Sequence, residues 1–245
     1  MKHTSKLSLG IVAILALLAV TFAPSCASGQ MPTNTNIPHD YGDTLRILAI
    51  GNSFSDDGME HLPALLEDLG IENVEVARLY IGGCSLERHV KCYNTQEAAY
   101  EFYHSKAGEN HWVKSAEKVP MQHALEMGEW DIITLQQASP LSGKWESYEP
   151  YLSNLAQLVK SICPKAKIYF HQTWAYEKDA TYSGYKHYDN DQQKMYDAIV
   201  DASEKAAQKL DAPLIPVGRI IQGLRENLPE FDYGNGGISL NRDGF

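Results

Sequence analysis

The sequence has 245 residues, of which 44% are hydrophobic and 21% charged, the composition of an ordinary soluble globular protein. About 200 residues remain beyond the N-terminal segment described next, and a domain of that size buries a full core without disulfides or metal ions. The net charge of −10 argues against nucleic acid or anionic lipid as the main partner.

The N-terminal segment has the layout of a secretory signal. Lys2 and Lys6 precede an unbroken apolar run over residues 11–20, and small residues follow at 23–28. Because the run is short for a membrane span, we predict a cleaved signal peptide over residues 1–25, with an uncleaved anchor helix as the alternative. Cleavage removes two lysines and changes the net charge to −12. The expected location is the periplasm or the outer cell surface.

Cys26 directly follows this segment and resembles the lipidated cysteine of bacterial lipoproteins, although ordinary cleavage nearby stays open as the alternative. A lipid on Cys26 is the only membrane contact expected. Residues 26–44 are polar, with Pro32 and Pro38, and predict a tether or leader. Residues 45–245 predict one domain.

Strand and helix patterns alternate through that domain. Strands are predicted over residues 45–50, 74–81, 131–135, 167–170 and 214–217, and helices over 59–69, 148–162, 189–210 and 218–228, while residues 85–127 predict a helical, partly irregular stretch. This alternation predicts an α/β fold, a flavodoxin-like three-layer α/β/α sandwich with a parallel sheet of about five strands.

Polar and glycine-rich segments follow the predicted strands, at the edge where such sheets bind ligands. We therefore predict that one cleft is lined by Ser53, Gly83, His171 and either Gln136 or Gln137. Packing alone does not require polar and glycine-rich segments after the strands, so their presence favours a ligand-binding site.

Ser53 places a hydroxyl after the first strand and beside a helix start, where backbone amides can stabilise an oxyanion. The alternative is that Ser53 or Ser55 only caps the helix. A nucleotide-binding phosphate loop is not expected, because no Gly-Lys-Ser/Thr follows and Asp56 and Asp57 would repel a phosphate.

The other strand ends leave alternatives open. Gln136 and Gln137 would donate to an oxyanion or would scaffold a loop, since buried amides need partners. His171 is either a catalytic or a structural histidine. Trp174 and Tyr176, beside polar groups, would suit a sugar ring.

Taken together, these segments resemble the SGNH/GDSL hydrolases. Gly51-Asn52-Ser53-Phe54-Ser55 is similar to their Gly-Asp-Ser-Leu-Ser block, with Asn52 in place of Asp. Gly83 resembles the glycine of the second block, and Asp243 the Asp of the final Asp-x-x-His block. The resemblance is closer to an uncharacterised branch, a domain of unknown function common in secreted bacterial proteins, over residues 45–245. Its segments here are residues 50–55, 135–139, 172–176 and 216–218.

This resemblance implies a serine esterase with Ser53 as nucleophile and Asp243 as the residue that orients a histidine. It implies an oxyanion site made by the amides of Ser53 and Gly83 with Gln136 or Gln137, and no metal or cofactor. The expected substrate is a small-molecule or carbohydrate ester, such as an acylated polysaccharide. The pattern places the histidine at position 246, so a chain ending at Phe245 is expected to be impaired unless His171 replaces it. A non-catalytic carbohydrate-binding protein on the same fold is the alternative.

Three further cysteines, Cys84, Cys92 and Cys163, fit no zinc spacing. Cys84 and Cys92 form the one near pair, which would be either a disulfide or two free buried thiols.

Overall fold

The computed structural model describes residues 44–230, 233–235 and 239–240. The predicted signal peptide, Cys26 and Asp243 lie outside these residues. None of the helices in the described ranges combines the length and the apolar character needed to cross a membrane.

Strands and helices alternate along the described chain. The strands are β1 (Leu45–Gly51), β2 (Val74–Tyr80), β3 (Tyr100–Ser105), β4 (Val113–Val119), β5 (Ile132–Leu135), β6 (Lys167–His171) and β7 (Leu214–Ile215), with a short pair β8 (Gly234–Asn235) and β9 (Ser239–Leu240). The helices are α1 (Ser53–Met59), α2 (Leu62–Asp68), α3 (Leu86–Asn94), α4 (Met121–Met127), α5 (Tyr151–Ile162), α6 (Gln192–Leu210) and α7 (Val217–Asn227).

The main sheet has seven strands in the order β4-β3-β2-β1-β5-β6-β7. Strands β2, β1, β5, β6 and β7 pair in parallel, which confirms the five predicted parallel strands. Strands β3 and β4 extend the sheet in antiparallel pairing beyond β2.

The prediction of a helical stretch over residues 85–127 is therefore wrong except at α3 and α4. Strand β3 buries Tyr100 and Phe102 on one face, whereas β4 is almost entirely exposed and carries Lys114 and Glu117. A charged, exposed edge strand lacks the apolar alternation that identifies a strand in the sequence, and such charges protect an edge from pairing with other chains.

Both faces of the central strand are buried. Leu48 and Ile50 pack into the larger core with Leu79, while Ile47 and Ala49 are buried on the opposite face. Parallel strands buried on both faces require helices on both sides, so the three-layer prediction is confirmed. Arg78 pairs in register with Ala49 and points to the face on which α1 lies.

All three cysteines in the described ranges are free and buried. Cys84 precedes α3 and Cys92 lies two turns into it. Their Cα atoms are separated by roughly 10 Å of helix, whereas a disulfide spans roughly 4–7 Å. The free-thiol alternative therefore describes this pair.

Candidate active site

Asn52 links the end of β1 to the start of α1. Its side-chain oxygen accepts from the Phe54 amide at 3.1 Å, and its backbone carbonyl accepts from the amides of Ser55 and Asp56 at 2.9 and 3.2 Å. Asparagine is a favoured cap because its short side chain reaches these otherwise unpaired amides. Asn52, and not a serine, is therefore the cap of α1.

Ser53 is the first residue of α1 and is only partly buried. Asn52 accepts from the amides of Phe54, Ser55 and Asp56 and not from the amide of Ser53. The Ser53 hydroxyl makes no hydrogen bond with the described part of the chain. Serine at this position thus presents an uncommitted hydroxyl and amide at the carboxyl edge of the sheet.

Gly83 lies in the turn that follows β2 and is exposed, with φ of +64°. This left-handed backbone favours glycine. The turn is closed by the Cys84 amide donating to the Ile81 carbonyl at 3.2 Å. Asn52 donates from Nδ2 to the Cys84 carbonyl at 3.0 Å, so one side chain joins the Ser53 segment to the Gly83 turn.

Gln136, directly after β5, is 1% exposed and completes a buried network. Its Nε2 donates to Asn52 Oδ1 at 2.6 Å. Its Oε1 accepts from the Ser55 hydroxyl at 2.7 Å and from His171 Nδ1 at 2.6 Å. A carbonyl oxygen only accepts, so the His171 proton resides on Nδ1. We call Asn52, Ser55, Gln136 and His171 the amide network.

Gly51 is required by the closeness of this network. A Cβ at position 51 would lie 2.0 Å from Ser55 Oγ and 3.0 Å from Gln136 Cδ. Any side chain there would displace the Ser55 hydroxyl or Gln136. Close packing therefore explains why the first residue of the Gly-Asn-Ser segment is glycine.

Gln137 does not join this network. Its Oε1 accepts from the amides of Leu86 and Ala138 at 3.0 and 2.9 Å, and its Nε2 donates to Ser147. Successive residues of an extended chain point to opposite faces, so adjacent glutamines reach different partners. The contacts of Gln137 are those of a loop scaffold.

His171 is buried in the same network, and the far edge of its ring faces α1 at Gly58. Its Cε1 and Nε2 both lie 3.6 Å from where a Cβ on Gly58 would be, five residues along α1 from Ser53. Burial lowers the pKa of His171 from 6.5 to about 4, so the imidazole is neutral at pH 7. These contacts are those of a structural histidine.

The aromatic pair proposed to contact a sugar is in the core, and that prediction is wrong. Trp174 and Tyr176 are both 0% exposed. Trp174 stacks on Phe54 with ring centroids 4.2 Å apart, and the Tyr176 hydroxyl lies 2.8 Å from Ser139 Oγ. Neither ring has a face open to a ligand, because Trp174 stacks on α1 and Tyr176 packs against Tyr182 and Tyr185.

Sequence reasoning missed a charged cluster on the other side of α1. Arg78 is 5% exposed, and its Nε lies 2.9 Å from Asp56 and its Nη1 3.7 Å from Glu60. Its guanidinium carbon lies 4.6 and 4.5 Å from the ring centroids of Tyr103 and Trp112. The sequence signal that could have revealed this cluster is an arginine inside an apolar strand, since a buried charge needs a partner. We call Arg78, Asp56 and Glu60 the charged cluster.

A metal site is not formed by the described residues, among which no three His, Cys, Asp or Glu side chains converge. Of the predicted site residues, the structure brings Ser53, Asn52, Gly83, Gln136 and His171 to one edge. It directs Gln137 to the opposite face and buries Trp174, while Asp243 lies outside the described ranges.

The seven-stranded, mostly parallel sheet with helices on both faces is an α/β fold of the kind found in SGNH hydrolases. A protein from Slackia heliotrinireducens assigned to the SGNH hydrolases superposes with a TM-score of 0.54 at 22% identity, over 82% of this chain and 92% of that one. A variant of Axe2, an acetyl xylan esterase from Geobacillus stearothermophilus, gives 0.51 at 12% identity, over 83% and 90%.

The family is more specific than the fold. The model of DUF4886, a domain of unknown function, matches residues 46–245. A DUF4886 protein from Bacteroides uniformis is 37% identical, with a TM-score of 0.76 over 81% of this chain and 77% of that one. The chain belongs to the DUF4886 family. No curated protein matches it.

Proposed function

We propose that this protein is a serine hydrolase that cleaves ester bonds, with Ser53 as the nucleophile. One observation carries the proposal: the Ser53 hydroxyl is partly exposed and makes no hydrogen bond to the residues that the structure describes, whereas the polar side chains beside it in the amide network are buried and paired. A hydroxyl left free beside a fully paired network is suited to chemistry more than to packing.

In the proposed reaction Ser53 Oγ attacks the acyl carbon as a base removes its proton. The amides of Ser53 and Gly83 stabilise the oxyanion, since neither is used in the cap or in the turn. The ester C–O bond then breaks, the alcohol leaves with the proton, and water releases the acyl group from Ser53 by the same steps.

The base is proposed to come from the C-terminal block that contains Asp243. His171 is an unsuitable base because its Nδ1 proton is committed to Gln136 and its Nε2 is beside Gly58. A histidine three residues after Asp243 would be oriented by that carboxylate.

The proposed substrate is a small acyl ester of a carbohydrate or another alcohol. Its support is the fold shared with an acetyl xylan esterase, together with the predicted export. The buried Trp174 and Tyr176 give it no support.

Export itself is tested by mass spectrometry of membrane and periplasmic fractions. Loss of residues 1–25 is expected, with or without a lipid on Cys26, whereas an intact Met1 in the cytoplasm contradicts it.

The activity test measures hydrolysis of p-nitrophenyl acetate by the wild type, Ser53→Ala and Ser153→Ala. Each is prepared as the chain ending at Phe245 and as the chain continued through a histidine at position 246. A general base contributes on the order of 10²–10⁴ in rate, so the continued chain is expected to be faster by that order. Ser53→Ala is expected to abolish turnover, and Ser153→Ala, on the far helix α5, to retain it.

Three outcomes separate the alternatives. Turnover that survives Ser53→Ala contradicts the proposed nucleophile. Equal Ser53-dependent turnover in both chain lengths contradicts the proposed base and assigns that role to another group, with His171 the first to test. Absence of turnover in every form, on this ester and on acetylated xylan, favours the carbohydrate-binding alternative.

A further inference from the structure

We infer that Gln136 and Asn52 are positioning residues that hold the two oxyanion-binding amides in register, and that neither side chain contacts the oxyanion itself. The inference rests on the proposed hydrolase function. In the hydrolases that this chain resembles, the residue at the position of Gln136 is an oxyanion donor. Here we assign Gln136 the role of a buried residue that holds other groups in place.

Accessibility argues against Gln136 as a donor. Its side chain is 1% exposed, and Asn52 is also 1% exposed. Gln136 Oε1 carries two hydrogen bonds, from Ser55 and His171, and its Nε2 bonds to Asn52 at 2.6 Å. An oxyanion donor must reach the substrate oxygen at about 2.7–3.1 Å, and a side chain enclosed in this way does not meet a substrate.

Asn52 connects the two amide-bearing segments because both ends of its side chain are used. Oδ1 holds the start of α1 through the Phe54 amide, next to Ser53. Nδ2 holds the Gly83 turn through the Cys84 carbonyl at 3.0 Å. An aspartate at this position keeps the first contact and loses the second, since a carboxylate cannot donate.

Gln136 orients Asn52 from behind. Asn52 Oδ1 accepts from both the Phe54 amide and Gln136 Nε2, which prevents the side-chain amide from rotating and exchanging its two ends. Gln136 is in turn held by Ser55 on α1 and His171 on β6. The arrangement links β1, β5, β6 and the β2 turn through neutral, directional bonds, which specify position better than contact alone.

The test compares Gln136→Met with Gln172→Met, measuring kcat and KM on p-nitrophenyl acetate. Gln172 is a matched control because it also directly follows a strand and is 0% exposed. Both ends of its side-chain amide are bonded: Nε2 donates to Ser203, and Oε1 accepts from the Arg219 amide. Misplaced catalytic groups cost on the order of 10²-fold in rate. Gln136→Met is therefore expected to lower kcat roughly tenfold to a hundredfold with KM changed less than about threefold, and Gln172→Met to retain kcat within about threefold.

Two further variants exclude a merely structural explanation. Gln136→Glu can donate to Asn52 only when protonated, so its activity relative to the wild type is expected to rise as the pH falls toward 5. Asn52→Asp is expected to lower kcat, and the Asn52→Asp/Gln136→Met double variant to lower it by less than the product of the single effects, because both break one connection.

A structural readout works without turnover. The NMR amide resonances of Gly83 and Cys84 are expected to shift in Gln136→Met and to stay in Gln172→Met. Equal kcat in Gln136→Met and Gln172→Met with unmoved Gly83 resonances overturns the inference, even where Ser53→Ala abolishes activity and the proposed function stands. Turnover that survives Ser53→Ala overturns the proposed function, and the Gly83 resonances then still report on the connection alone.

Discussion

Helix α1 is held against the sheet by two clusters of opposite character. On the β5–β6 side the amide network binds Asn52 and Ser55 through neutral hydrogen bonds of 2.6–2.7 Å. On the β2–β3 side the charged cluster pairs Asp56 and Glu60 with Arg78, at 2.9 and 3.7 Å. Ser53 lies at the start of the helix that both clusters fix.

The two clusters supply different things. The amide network has fixed donor and acceptor directions, so it determines where the turn before Ser53 lies. The charged cluster depends on one buried cation between two aromatic rings, with carboxylates 27% and 52% exposed. A buried cation that is paired with carboxylates contributes to the stability of the fold, and this contribution depends on the charge of its partners and therefore on pH. Breaking the amide network should therefore change mainly the position of the turn before Ser53. Breaking the charged cluster should change mainly the free energy of unfolding.

The largest expected effect comes from Arg78→Met, which removes the buried cation and leaves Asp56 and Glu60 without it. Breaking a buried pair costs about 3–5 kcal/mol, and the partly exposed carboxylates moderate this, so we expect a loss of roughly 3 kcal/mol in the free energy of unfolding. Urea denaturation at pH 7 measures it. Arg46→Met is the control, because Arg46 is 38% exposed and lies 3.5 Å from Glu75; about 1 kcal/mol or less is expected. Equal losses in the two variants would show that burial of Arg78 adds nothing.

The second effect is the pH dependence that His171 gives to the amide network. Its pKa is lowered to about 4, so between pH 6.5 and 4 the unfolded chain binds a proton that the folded chain does not. Stability is then lost as the pH falls through that window, by about 2–3 kcal/mol between pH 7 and 4.5. In His171→Gln this part of the loss is expected to disappear. His89, buried with a pKa lowered to about 3, remains in both proteins as an internal reference. Parallel stability curves for the two proteins would contradict the prediction.

The smallest expected effect has the opposite sign and belongs to the charged cluster. Burial raises the pKa of Asp56 from 3.8 to about 6, although Arg78 opposes the shift. The folded chain then binds more protons between pH 3.8 and 6, and stability falls as the pH rises through that window. Relative to the wild type, Asp56→Asn is expected to gain about 1 kcal/mol between pH 4.5 and 7, a value reduced for the partial exposure of the carboxylate. Thermal unfolding at the two pH values, with the exposed Asp201→Asn as control, measures it. A relative loss on raising the pH would reverse the assigned sign.

The sequence by itself determined the five parallel strands, the glycine-rich edge and the position of Ser53. These depend on local periodicity and on residue types at strand ends, both of which are visible along the chain. The resemblance to the SGNH/GDSL hydrolases rested on the same segments, and the family match over residues 46–245 agrees with it. Strand β4 was not predicted because an exposed, charged edge strand has no such periodicity.

Only the tertiary structure decided what each polar side chain does. Gln136 and Gln137 are chemically identical neighbours, and the alternation of the extended chain sends one to Asn52 and the other to Leu86. Trp174 was expected to bind a sugar and instead stacks on Phe54. The physical reason is that a side chain's role depends on partners distant in the chain, 84 residues in the case of Gln136 and Asn52. Folding brings these partners together, and local sequence patterns do not reveal them.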